Sequence, residues 1–138
     1  MVDLAEVRAI VLSLPETSVD QATTAFSVRH RGKLKGLAWV WMERIHPQRP
    51  RVPNRAVLAI RVFDQQDKDM WLASRPEAVF TESHYAGYPA VLVRLAAIEL
   101  DDLRELLVNA WRCQAPPALV KAFDQQRGPG QPSARPGL

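Results

Sequence analysis

The sequence predicts an α+β domain in which an antiparallel β-sheet carries helices packed mainly on one face. Three observations point there. Apolar residues recur at helical spacing towards both ends of the chain, they alternate with period two through its middle, and the alternating segments are joined by connections mostly too short for parallel crossovers. With 138 residues, 47% of them hydrophobic, the chain is long enough to bury a single core.

Asp3 and Glu6 form a capping box at the start of a helix whose apolar stripe is Leu4, Val7, Val11 and Leu14. Pro15 ends that helix near Leu14, because the residue before a proline is pushed out of the α region, and residues 15–18 read as a loop. From Ala25 the period changes to two. Phe26, Val28 and His30 alternate with Ser27 and Arg29, Arg31-Gly32 supplies a turn, and residues 33–44 continue as a long strand. Strict alternation along it puts Leu34, Gly36, Ala38, Val40 and Met42 on one face, suited to receive helices. Lys35, Leu37, Trp39, Trp41 and Glu43 take the other, and two tryptophans there predict that this face is partly covered.

Pro47, Pro50 and Pro53 lack ladder donors, so residues 46–55 form a stiff basic excursion between two strands. Residues 56–63 (AVLAIRVF) resume the sheet. Asp64 and Asp67 cap a short helix through Met70, Trp71 and Ala73 that ends before Pro76. Residues 79–81 are a brief strand, residues 84–89 (HYAGYP) a turn-rich loop and residues 90–95 (AVLVRL) another strand. Glu99 caps an amphipathic helix with Asp101 and Asp102 in its first turn and Leu103, Leu106, Leu107, Ala110 and Trp111 as its buried stripe. Pro116 or Pro117 opens a last helix through Leu119, Val120 and Phe123. A single domain over residues 1–124 is expected, with residues 125–138 as a disordered tail too poor in apolar residues to fold.

Few residues offer catalytic chemistry. Phosphate-binding and dinucleotide-binding glycine loops, a nucleophile elbow and a zinc-protease helix motif are all absent. His30, His46 and His84 are scattered, and one cysteine cannot build a zinc knuckle, so neither a metal nor another cofactor is expected, nor an enzyme. Cys113 sits near a helix C-terminus, where the dipole disfavours a thiolate, and reads as a packing residue. Ser83, His84 and Tyr85 are neighbours on a segment read as extended, where adjacent side chains point apart. His84, Tyr85 and Tyr88 around Gly87 are expected to form a hydrogen-bonded loop closing an edge of the core, with the tyrosine hydroxyls meeting backbone partners. No apolar run approaches the ~20 residues of a membrane helix, and acids stand where a secretory leader would carry cations. The lone cysteine provides no disulfide framework, and a soluble, cytoplasmic protein is expected.

Charge is the strongest functional signal. The formal net charge is +3, yet residues 29–61 hold nine Lys or Arg against one Glu, a local +8, while the rest of the chain carries nine cations against fourteen acids. Arg29, Arg31 and Lys33 flank the first hairpin turn; Arg44, Arg49, Arg51 and Arg55 line the proline-stiffened one. Two adjacent tips at one end of the sheet would present guanidinium forks suited to phosphate oxygens.

Residues 80–95, FTESHYAGYPAVLVRL, closely resemble the signature of the MmcQ/YjbR family, proteins described as having a double-wing DNA-binding fold. The resemblance extends to Val7-Arg8, to residues 12–16 (LSLPE), to Ala25-Phe26 with Val28-Arg29, and to residues 32–34 (GKL). Towards the C-terminus it includes residues 103–107 (LRELL), 110–112 (AWR) and Ala115-Pro116, so that it spans roughly residues 3–123. It implies a compact α+β domain with two protruding hairpin wings, DNA as partner, and no established enzymatic activity or cofactor. Two departures stand out: the second hairpin is longer and richer in Arg and Pro, and Pro117-Ala118 stands where a Lys/Arg pair is common. The resulting expectation is a DNA-binding protein that holds phosphates first through Arg49, Arg51 and Arg55, supported by Arg31, Lys33 and Arg44. The alternatives are a small-molecule-binding or enzymatic pocket lined by His84, Tyr85, Tyr88, Trp39 and Trp41, and a protein-interaction module using the tryptophan-bearing face.

Overall fold

The computed structural model describes residues 2–126. Asp3 accepts a hydrogen bond from the Glu6 backbone N–H at 3.1 Å and starts α1 (Leu4–Leu12). Its last carbonyls are taken by the backbone N–H groups of Ser13 and Leu14 and, in addition, by side chains: Ser13 Oγ donates to Ile10 (2.6 Å), and Thr17 Oγ1 lies 2.7 Å from the Val11 carbonyl oxygen and 2.9 Å from that of Leu14, just past the helix. Thr17 thereby anchors a strand where a loop was expected, β1 (Thr17–Asp20), which pairs antiparallel with β2 (Ala25–His30). Val19 is the one apolar residue of β1, so no alternation marks it, and its ladder partner supplies the order.

The chain continues through β3 (Lys33–Glu43), β4 (Val52–Arg61), α2 (Gln65–Ser74), β5 (Val79–Phe80), a single 3-10 turn (Ser83–Tyr85), β6 (Ala90–Arg94), α3 (Leu100–Gln114) and α4 (Pro117–Gln126). The six strands lie in the order β1-β2-β3-β4-β6-β5, and every pairing is antiparallel. The α+β class with an antiparallel sheet is as expected, with one strand more than the sequence discloses. Helix α4 runs to Gln126, so Gln125 and Gln126, expected in the tail, are helical; residues 127–138 lie outside the described residues. No helix among the described residues is long and apolar enough to cross a membrane.

Strict alternation fails once in β3, and the failure decides which side chains meet the helices. Phe26 pairs with Ala38, but Ser27 pairs with Gly36, leaving Leu37 as an extra residue. Leu37 and Ala38 therefore both enter the helix-side core, fully buried with Phe26 and Val28. The frame is shifted on the N-terminal side of this bulge, so Leu34 and Gly36 belong to the helix-free face instead of the helix face, and Leu37 makes the opposite change. The Trp39 ring lies over Gly36, 3.7 Å from where a Cβ would stand. Leu34, beyond the helix cover, is exposed.

Helix α3 packs across β2, β3 and β4 and delivers the stripe Leu103, Leu106, Leu107, Ala110 and Trp111 to the core. Trp111 is fully buried; its Nε1 donates to the Pro15 carbonyl at 2.9 Å, and its ring packs 4.9 Å from that of Phe123 on α4. One side chain thus ties α3 to the loop after α1 and to the last helix. Trp111→Ala should cost ~3–5 kcal/mol, because it opens a large cavity and strands a carbonyl, read as a lowered urea midpoint.

Candidate functional site

The two basic hairpins turn at opposite ends of β3, not side by side as the sequence reading has it, because each of two consecutive antiparallel connections reverses the chain. Ten residue steps separate Lys33 from Glu43, so the tips stand about 33 Å apart at ~3.3 Å per residue. The first tip is a two-residue turn in which Arg31 (φ 53°) and Gly32 (φ 79°) both adopt the left-handed conformation that the twist of a tight hairpin demands. Arg31 and Lys33 are exposed there without a side-chain partner among the described residues.

The second tip, residues 44–51, is braced from within. Arg44 Nη1 donates to the carbonyls of Arg49 (2.8 Å) and Pro47 (3.4 Å), and Arg51 Nη1 donates to Met42 at 2.9 Å. The Arg49 N–H closes a turn onto His46, and Asn54 Nδ2 donates to Glu43 Oε1 across the ribbon. Arg49 is left with its guanidinium exposed and unpaired among the described residues. Arg55 is not at the tip. Val40 pairs with Leu58 but Trp41 with Asn54, so residues 55–57 are extra, and Arg55 Nη1 reaches Thr24 Oγ1 (3.1 Å) in the β1–β2 turn.

Between the tips, the helix-free face carries an aromatic layer. Trp39 and Trp41 pack with Phe80 on Val57, Ala59, Tyr85, Ala90 and Leu92. Trp39 Nε1 donates to Tyr85 Oη (3.0 Å), so that hydroxyl meets a side chain, not the backbone partner expected of it. Burial pushes the Tyr85 phenol up from its ordinary value, with the Trp39 hydrogen bond acting against it. His84 and Tyr85 do touch, ring centroids 5.7 Å apart and edge to face, because the segment is a 3-10 turn and not the extended stretch that would separate neighbours. Tyr88 completes the layer edge-on to Trp39 and Tyr85. The Arg94 guanidinium lies 4.0 Å above the Phe80 ring.

One residue that fixes this layer is invisible to sequence reasoning. Lys68 is 2% exposed, and its Nζ donates to the carbonyls of Tyr85 (2.7 Å) and Tyr88 (2.9 Å). A lysine on a short polar helix carries no signal that its ammonium staples a loop. Burial lowers its pKa from the ordinary 10.5, opposed by Asp69.

A cleft of about 690 Å³ opens between α3 and α4, lined by residues including His30, Arg112, Cys113 and Lys121. His30 Nδ1 donates to the Gln114 carbonyl there (2.8 Å), and burial raises the Cys113 thiol to about 11, so the neutral thiol is its form at ordinary pH.

No family model matches the sequence. Uncharacterized proteins from Mycobacterium bovis and Mycobacterium tuberculosis are 49% identical over 71 residues, 51% of this chain and 55% of each relative, so the match spans about half the relatives' length. The fold is similar to the crystal structure of Deinococcus radiodurans protein DR2400, a DUF419 domain protein, with a TM-score of 0.57 and 20% identity over 80% of this chain and 77% of that one.

Lys68→Met should lower stability by ~1–3 kcal/mol, because two charge-assisted hydrogen bonds to the loop are lost, even though the Tyr85 and Tyr88 carbonyls keep the backbone N–H groups of Tyr88 and Ala90. The unfolded chain holds the Lys68 proton more tightly than the folded one, so wild-type stability relative to Lys68→Met should rise with pH between the lowered pKa and 10.5. Paired urea titrations across that interval check both the size and the sign.

Proposed function

We propose that the domain binds nucleic acid, duplex DNA in the first instance, by holding phosphates at its two hairpin tips. The observation that carries this reading is the partition of charge in the fold. Ten of the fifteen acids lie in the four helices or at their N-caps, while the exposed, unpaired cations Arg31, Lys33 and Arg49 stand at the ends of β3. Arg29 and Arg94 belong to the helix-free face between the tips, by register with Leu34 and by contact with Phe80. A polyanion laid along that face meets cations and avoids the acidic helices.

Tip separation supports the same partner. About 33 Å is close to one turn of B-form duplex, roughly 34 Å, so a duplex lying along β3 could be held on successive turns of one side. The bracing of the second tip reduces the ordering cost of binding, with Arg44 and Arg51 spending one N–H or more on loop carbonyls and Arg49 left for phosphate. The relation of DUF419 to the MmcQ/YjbR family, which the sequence resembles, adds support at the level of fold. The loop of His84, Tyr85 and Tyr88 is on this reading a cover for the aromatic layer, since the Tyr85 hydroxyl and both tyrosine carbonyls already have partners.

Salt dependence of duplex binding tests the proposal. Each lost phosphate contact removes about 0.9 from the log–log slope, so Arg31→Ala/Lys33→Ala/Arg49→Ala should flatten it by about 3. His84→Ala should leave the slope unchanged. Unaltered affinity and slope in the triple variant would end the reading, and loss of all binding from His84→Ala alone would move the site to the loop.

A further inference from the structure

Apolar side chains are exposed on the second hairpin where solubility alone favours polar ones. Ile45, at the tip, is 72% exposed; Met42 and Val52, on the two strands leading to it, are 44% and 40% exposed. Met42 pairs with Pro53, and Val52 with Glu43, so the two residues project from opposite faces of the ribbon. Cations surround them: Arg44 precedes Ile45, and Arg49 and Arg51 follow it across the loop. Glu43, the only acid of the hairpin, is held by Asn54.

We infer that the β3–β4 hairpin is a wedge that enters the minor groove of duplex DNA and inserts Ile45 between base pairs, kinking the duplex. The inference rests on the phosphate-binding reading above and adds a mode of recognition to it: because the hairpin projects along β3, the kink turns the duplex across the second tip instead of leaving it straight along the strand. An apolar residue on each face of the ribbon, with a third at its end, suits a cleft with walls on both sides, here a minor groove opened by the kink, since the undistorted groove of roughly 6 Å is narrower than the ribbon. It does not suit a lipid surface, which calls for one continuous apolar face. Guanidinium groups beside the apolar tip suit the phosphates that line the groove, and an inserted aliphatic side chain exchanges water for the faces of two unstacked base pairs. Such insertion needs a stiff tip. Pro47, Pro50 and the internal hydrogen bonds of Arg44 and Arg51 supply it. Specificity would then come from deformability, with pyrimidine–purine steps preferred because they unstack most easily.

The test uses the full chain and a duplex carrying a fluorophore pair at its ends and 2-aminopurine at a central TA step. Wild-type protein should raise energy transfer between the ends and 2-aminopurine emission together. Ile45→Ala should return both signals to those of the free duplex while affinity changes by no more than roughly threefold, since the unstacking cost disappears with the insertion gain. Because Ile45 is exposed, its truncation leaves the core untouched, and Ile45→Met, which keeps an apolar tip, should restore both signals. Wild-type binding with neither signal, or signals that survive Ile45→Ala, would overturn the wedge and leave the phosphate contacts standing. Absence of duplex binding would overturn both. Binding to anionic vesicles of phosphatidylserine and phosphatidylcholine that depends on Ile45, with no change in either DNA signal, would assign the tip to membranes instead.

Discussion

Both hairpin tips and both faces of the sheet are organised by β3. It is hydrogen-bonded to β2 on one side and β4 on the other, it contributes to the core beneath α3 and to the aromatic layer opposite, and both hairpin tips are its continuations. An eleven-residue strand held on both edges behaves as a strut, and its length sets the distance between the basic tips. The Leu37 bulge serves the same strand. By shifting the frame once, it lets Leu37 and Ala38 both fill the helix-side core while Trp39 and Trp41 face away from it.

The two faces of the sheet solve different problems. Helices cover one with apolar stripes and place most of the protein's acids there, three of them at N-caps, two of which accept hydrogen bonds from the first turn. The other is closed by rings and a short turn, whose Tyr85 and Tyr88 carbonyls accept from Lys68 inside the protein as well as from backbone N–H groups of the loop. The same economy operates in the second hairpin, where arginines act on the backbone of their own loop. A basic residue count therefore overstates the cations available to a partner. Arg44, Arg51 and Arg55 belong in part to the architecture, and Arg31, Lys33 and Arg49 remain outward.

Much of this was legible in the residues. The stripe of α3, the caps of α1 and α2, the Arg31-Gly32 turn and the antiparallel class all follow from periodicity and local hydrogen-bonding chemistry. What escaped was decided by partners distant in the chain. β1 has almost no apolar pattern and exists because β2 offers it a ladder; the shifted frame of β3 depends on pairing with β2; Lys68 is buried because a loop some twenty residues later folds over it. The basic tips stand at opposite ends of the sheet and not at one, for a different reason: consecutive antiparallel hairpins must turn at alternating ends. The sheet thus carries two cationic tips spaced by the length of a strand instead of a single cationic end.

The claim that both tips grip one duplex is tested most directly by affinity as a function of duplex length at fixed salt, from about 8 to about 20 base pairs. With tips about one turn apart, affinity should rise by about tenfold or more once the duplex exceeds roughly one turn, because the second contact becomes intramolecular. Arg31→Ala/Lys33→Ala should abolish that step and leave binding to the shortest duplexes nearly unchanged. A smooth growth of affinity in proportion to length, the same in both proteins, would contradict the account.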